Sequence, residues 1–250
     1  MRYQLIGFIF VTVQCLSALN WKPVSPEQLA LKTAKVDPNA DAEAIFWEAW
    51  VKDVRAGNYA NHIVENYIRI KLYNSRAIEK YGNVEIPYYS QQRMSLVDVR
   101  GRTIKPDGTI LELNGTSILD SVLAKAGRRN VKAKSFAMPA IEPGAIIEYQ
   151  WTEVYSEYLS RYVPLEMQRE IPAWEVTYNV LPLQDFGFNQ RMQSYPFNCE
   201  PTPWTPVDDD VSHRGFVSTS IKNVPALVEE PQMPSTRDVK AWMLIYYTPS

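Results

Sequence analysis

Cysteine and histidine are nearly missing from this chain, with two of each among 250 residues. Cys15 falls inside an apolar N-terminal stretch, so a processed chain keeps Cys199 alone and has no thiol to pair with it. An intrachain disulfide is then excluded, and stability must come from a packed core. A closed zinc site needs several nitrogen or sulfur ligands at workable spacing. His62, His213 and Cys199 are too few and too scattered to supply one, and no His-Glu-x-x-His helix occurs. Glycine is also scarce, with 10 residues and no phosphate-cradling cluster, so nucleotide cofactors are not expected. A basic excess is lacking, since 26 Lys+Arg face 28 Asp+Glu, and the two signs interleave. That balance argues against a nucleic-acid partner. No apolar run approaches the roughly 20 residues that a membrane-spanning helix needs.

What the chain does contain is aromatic and punctuated by proline: 15 Tyr, 8 Phe, 7 Trp and 18 Pro. Aromatic and β-branched residues favour pleated, half-buried surfaces, and prolines separate short elements. The N-terminus carries Arg2, a short apolar core over 5–13, then Leu16, Ser17 and Ala18. This pattern predicts a signal peptide over residues 1–19 and an exported protein, periplasmic or extracellular, with no stable membrane span after cleavage. An uncleaved anchor is the weaker reading. Lipid attachment at Cys15 is disfavoured by the bulky Gln14 before it.

Residues 20–39 read as a leader broken by Pro23, Pro26 and Pro38. Segment 42–54 fits both helical spacing (Ala42, Ile45, Phe46, Ala49, Trp50) and strict alternation (Ile45, Trp47, Ala49, Val51). The turn residues Ala56-Gly57-Asn58 and the β-favouring run 63–73 favour a hairpin. A short helix is predicted over 74–81, ending at Gly82. Strands follow over 84–89, 94–103 and 109–113, the last two around Lys105-Pro106-Asp107-Gly108. Glu142-Pro143-Gly144 predicts a second hairpin joining 132–138 to 145–155. Further strands are expected over 163–171, 175–183, 188–195 and 215–221, with an irregular loop over 199–210. Regularly spaced strands without βαβ alternation predict an all-β, antiparallel sandwich with few short helices over residues 40–238. The proline-rich stretch 225–234 reads as a boundary, and 239–250 as the start of a further, truncated domain outside the sandwich core.

Three motifs occur in a characteristic order. They are Val99-Arg100-Gly101-Arg102-Thr103 with Pro106-Asp107-Gly108; Phe136-Ala137-Met138-Pro139 with Glu142-Pro143-Gly144-Ala145-Ile146-Ile147-Glu148-Tyr149; and Asn223-Val224-Pro225-Ala226-Leu227 with Glu230-Pro231 and Met233-Pro234. Together they resemble the bacterial domain of unknown function that precedes transglutaminase-like domains in exported proteins. The resemblance covers about residues 40–238. It implies a sandwich like the N-terminal β domain of some zinc aminopeptidases. It also implies a papain-like Cys–His–Asp domain downstream as partner, whose catalytic residues have no counterpart here.

Other groups able to carry chemistry are few. A nucleophilic thiol needs a base and an orienting group. Cys199, His213 and Asp209 could be written as such a set, but a half-buried loop cysteine is the more economical reading. Asp208-Asp209-Asp210 lacks the spaced ligands of a calcium loop and reads as a solvated turn. Asn114-Gly115-Thr116 is a glycosylation sequon that reads as a turn. No catalytic, cofactor-binding or metal site is therefore expected. The aromatic residues Tyr88, Tyr89, Trp151, Tyr155, Tyr158 and Tyr162 remain: a stacking surface for a peptide or glycan, weighed against ordinary cross-strand packing. The expected function is a non-catalytic accessory, substrate-positioning domain of an exported transglutaminase-like or cysteine-peptidase-like protein. The alternative is a stand-alone surface module that binds glycan or peptide.

Overall fold

The computed structural model describes residues 20–89, 93–126, 129–159, 162–183, 190–207, 213–228 and 230–249. The predicted signal peptide and the 208–210 aspartates lie outside them. The chain is mostly β, as its composition predicts. Strand β1 (Ala42–Ala56) and strand β2 (Tyr59–Leu72) form the expected long hairpin, turning at Gly57, whose φ of 62° suits glycine. Alternation therefore wins over the helical spacing in 42–54. The helical appearance comes from a β-bulge between Ala44 and Phe46, which puts Ile45 and Phe46 side by side in one cluster.

Helix α2 (Ser75–Tyr81) is capped by the Asn74 side chain and stops at Gly82. After it come β3 (Asn83–Tyr89), β4 (Met94–Ile104), β5 (Ile110–Glu112), β6 (Leu119–Ala126), β7 (Arg129–Ala137) and β8 (Ile146–Tyr155). Then follow β9 (Tyr162–Glu166), β10 (Ala173–Val180), β11 (Gln190–Phe197), β12 (Thr205–Pro206), β13 (Val217–Val224) and β14 (Trp242–Pro249). The described strands make one eight-stranded sheet, β12-β13-β10-β1-β2-β8-β4-β5, and two three-stranded sheets, β11-β14-β9 and β3-β7-β6. Pairing is antiparallel except between β1 and β10.

The main core lies on the inner face of the large sheet, against both small sheets. Ile68, Ile70 and Leu72 of β2 and Ile147 of β8 meet Ile86 of β3, Phe136 of β7, Leu165 of β9 and Met243 and Ile245 of β14. No helix among the described residues is long and apolar enough to cross a membrane.

Four expectations are corrected. The Glu142-Pro143-Gly144 turn does not close a hairpin. Its glycine sits at φ 86° and its backbone bonds Leu72, but β7 pairs with β3 and β6, whereas β8 pairs with β2 and β4. The turn hands the chain from a small sheet to the large one. Second, β6 has no counterpart among the expected strands. Third, residues 239–250 are not outside the core: β14 is the central strand of its sheet, and Met243 and Ile245 are buried in the shared core. Its apolar sequence, Trp-Met-Leu-Ile-Tyr-Tyr, finds its partners in β9 and β11. The sandwich accordingly does not end at residue 238.

Finally, residues 20–39 are not a detached leader. They form a strap, with helix α1 (Pro26–Ala30) held by a Ser25–Gln28 capping box, across the outer face of the large sheet. Under it Glu148, fully buried, accepts from Arg69 Nε and Arg102 Nε at 2.6 Å each and from the Tyr67 hydroxyl at 2.5 Å. Arg69 also donates to the Lys22 and Pro23 carbonyls and to Gln28 Oε1. Lys71 donates to the carbonyls of Leu29 and Gly144. Glu43 accepts from the Lys35 and Val36 amides and from Trp174. Buried charges persist where partners and hydrogen bonds surround them, and the strap supplies many of those partners here.

Candidate functional site

Side chains alternate across a strand, so β2 should present one apolar face to the sandwich interior. Its inner positions read His62, Val64, Asn66, Ile68, Ile70 and Leu72. The apolar set holds over the last three and fails at the end nearest the β1–β2 turn. The same end of β8 places Glu153 and Tyr155 inward, and the same end of β1 places Asp53. A dry core cannot take these groups without partners, and the structure opens a cleft there of about 610 Å³.

The cleft runs between the inner face of β1, β2, β8 and β10 and the edge strand β9. Its walls include His62, Asn66, Glu153, Tyr155, Tyr158, Tyr162, Arg169 and Tyr178. His62 Nδ1 lies 3.2 Å from Asp53 Oδ1. Glu153 is the hub: Oε1 accepts from Trp151 Nε1 at 3.0 Å and Asn66 Nδ2 at 3.3 Å, and Oε2 accepts from the Tyr155 hydroxyl at 2.9 Å. Burial, and then the adjacent Glu153 charge, raise the Tyr155 phenol above its ordinary range, so it stays a donor at neutral pH. Tyr158 is fixed through its backbone, which donates to the Ala60 carbonyl, and its ring meets those of Tyr155 and His62. At the other end Arg169 stacks 3.7 Å from the Trp47 ring centre and donates to the Glu166 carbonyl and the Tyr178 hydroxyl. Arg169 and Glu166 also line a second hollow of about 370 Å³, floored by Ile68, Ile70 and Ile171.

Of the six aromatics singled out in the sequence, Tyr155, Tyr158 and Tyr162 meet in this cleft. Tyr158 and Tyr162 are 51% and 68% exposed. Trp151 stands behind it, buried and orienting Glu153. The Tyr88-Tyr89 pair does not join them. Tyr88 is buried in the sandwich and donates to Asp120 from the sheet of β3, while the neighbouring Tyr89 points outward. For Tyr88 strand packing is the correct reading, and Tyr89 lies outside the cleft. Sequence reasoning overlooked His62 as a wall residue, and Asn66, Glu153, Arg169 and Tyr178 altogether. The signal was available as polar residues at inner positions of otherwise apolar strands.

The other sequence-named groups lie elsewhere. Cys199 packs against the inner core and its Sγ approaches the Trp242 carbonyl at 3.5 Å. Burial pushes its thiol pKa up, the opposite of what a nucleophile requires. His213 stacks on Trp50, on the outer face of the large sheet, away from Cys199. Asn114 uses its side chain to cap the Gly115–Ser117 turn. Among the described residues no group of His, Cys, Asp and Glu is arranged to hold a metal ion. The cleft can hold a ligand by ring stacking, hydroxyl and amide hydrogen bonds and the carboxylates of Glu153 and Glu166. Among its described lining residues there is no serine, threonine or cysteine to act as a nucleophile.

Fold and cleft together define a mostly antiparallel β domain with an amphipathic opening between its sheets. The chain belongs to DUF3857, a domain of unknown function with a solved structure, which matches residues 61–210. No curated protein matches the chain significantly. Among solved structures, a putative protease from Parabacteroides distasonis ATCC 8503 is similar, with a TM-score of 0.61 over 82% of this chain at 17% identity. This chain spans 40% of that protein's length. Likeness at that identity speaks to the fold alone. Legionella pneumophila aminopeptidase A in complex with aspartic acid is matched over 82% of this chain and 21% of its own, with a TM-score of 0.36 at 9% identity. A putative nutrient binding protein from the same species is matched over 82% and 67%, with a TM-score of 0.34 at 8% identity.

Proposed function

We propose that this domain is a non-catalytic accessory module of an exported transglutaminase-like or cysteine-peptidase-like protein, and that it positions a peptide substrate for a downstream domain of the same polypeptide. The observation that carries the reading is the cleft. It is walled on one side by consecutive residues 162–166 of an edge strand, and faced on the other by Tyr155 and Tyr158. Ligand sites are concave, with aromatic walls and a few convergent polar groups, and this cleft is larger than the hollow floored by Ile68, Ile70 and Ile171. The chain covers 40% of a longer protein of similar fold, the layout an accessory domain would have.

A stand-alone surface module is the second reading, since exposed tyrosines also stack on sugar rings. One experiment separates them: the purified chain is applied to a combined peptide and glycan array, alongside Tyr158→Ala and Tyr162→Ala variants. Peptide binding lost in both variants is expected. Glycan binding alone would favour the second reading, and binding unchanged in the variants would refute the cleft as the site.

A further inference from the structure

We infer that the cleft recognises its peptide through a cationic side chain, an ammonium or guanidinium group held by Glu153 and the rings of Tyr155, Tyr158 and Tyr162. This rests on the cleft reading above and names its ligand class. The other acids around the cleft each have a basic side chain as partner. Asp53 is paired with His62, and the Glu166 carboxylate with Lys240 at 3.0 Å. On the opposite face of the same sheet, Glu148 is held between two arginines. Among the described residues Glu153 has no such counter-charge and makes no ion pair: its partners there, Trp151, Asn66 and Tyr155, are neutral donors. The cation that lines the cleft, Arg169, is committed to the Trp47 face, the Glu166 carbonyl and the Tyr178 hydroxyl.

A half-buried carboxylate with neutral donors on both oxygens is oriented but not neutralised. A ligand cation supplies what is missing, and charge-assisted bonds are the stronger kind. The tyrosine rings that line the same cleft offer negative faces to the same cation. The aliphatic stem of a lysine or arginine would lie against Val64 and Leu165, which also line the cleft.

The test uses the Trp151 indole N–H, which donates to Glu153 and so reports its charge environment. Its signal is assigned in the proton–nitrogen spectrum of the full chain with Trp151→Phe. The chain is then titrated with acetyl-Gly-Gly-Lys-Gly-Gly-amide and with the same peptide carrying norleucine for lysine. The expected result is a saturable Trp151 shift with the lysine peptide, about ten-fold weaker or absent with norleucine, and weakened by added salt. Glu153→Gln keeps an acceptor oxygen for Trp151 and should erase the lysine preference. Equal binding of the two peptides to the unaltered chain would overturn the cationic ligand while leaving a peptide cleft in place. No shift of any cleft resonance with either peptide would overturn both.

Discussion

Replacing Glu148 with glutamine tests the polar cluster beneath the strap. Glu148 is fully buried and bridges two guanidinium groups, Arg69 at 2% and Arg102 at 10% side-chain exposure. Glutamine has nearly the same shape, but its single oxygen can serve one arginine, and its NH2 then faces the other, donor against donor. Two buried cations would be left without a counter-charge. Breaking such a pair by removing one partner costs about 3–5 kcal/mol. For a domain of this size, that lowers Tm by roughly 6–20 °C. Arg69 also holds the Lys22 and Pro23 carbonyls, so the strap should loosen with it. Circular-dichroism melts and urea titrations measure the loss, and limited proteolysis within residues 20–40 reports the strap. A loss under about 1 kcal/mol, with the strap still protected, would mean that water reaches the cluster and that the buried-charge argument is wrong.

Other consequences follow from the same packing. Burial lowers the Lys71 pKa from 10.5 to about 8, so the unfolded chain keeps that proton to higher pH than the folded one, and unfolding free energy should rise above pH 8. The Lys71 contribution is about 1.4 kcal/mol by pH 9, above which the buried tyrosines, deprotonated first in the unfolded chain, oppose it; urea titrations at pH 7 and pH 9 should show the rise, and Lys71→Met should remove it. Ile245→Ala should cost about 2–5 kcal/mol, and deleting 239–249 should unfold the chain, since β14 joins β9 to β11; a deletion that folds normally would restore the excluded-segment view. Cys199 should react with Ellman's reagent at pH 8 more slowly than free cysteine, because burial raises its pKa.

Much of the fold could be read from local chemistry. The β1–β2 hairpin, α2 with its Asn74 cap, and the Pro106-Asp107-Gly108 hairpin follow from turn residues and alternation, which act over a few positions. What escaped depends on distant partners. A Pro-Gly turn looks the same whether it closes a hairpin or passes the chain between sheets, so the Glu142-Pro143-Gly144 error was built into local reasoning. Nothing within 242–249 says which neighbours its apolar faces will meet. The strap looked like a leader because its role is exercised through backbone carbonyls, at Lys22, Pro23 and Leu29, which no side-chain pattern reveals. In the cleft, the tyrosines were visible as aromatics. The acid and amide that organise them were hidden until the register aligned Asn66 with Trp151 and Glu153 with Val64.

If the opening between the sheets is a peptide site, its exposed tyrosines must contribute to affinity. Isothermal titration of the strongest array-selected peptide into the chain and into a Tyr158→Ala/Tyr162→Ala double variant tests it most directly. Both tyrosines are well exposed, so the variant should melt within a few degrees of the parent. One saturable site is expected in the parent and at least about a ten-fold loss in the variant, since two aromatic contacts are removed. Equal affinity in two equally stable proteins would place the peptide elsewhere and refute the cleft as its site.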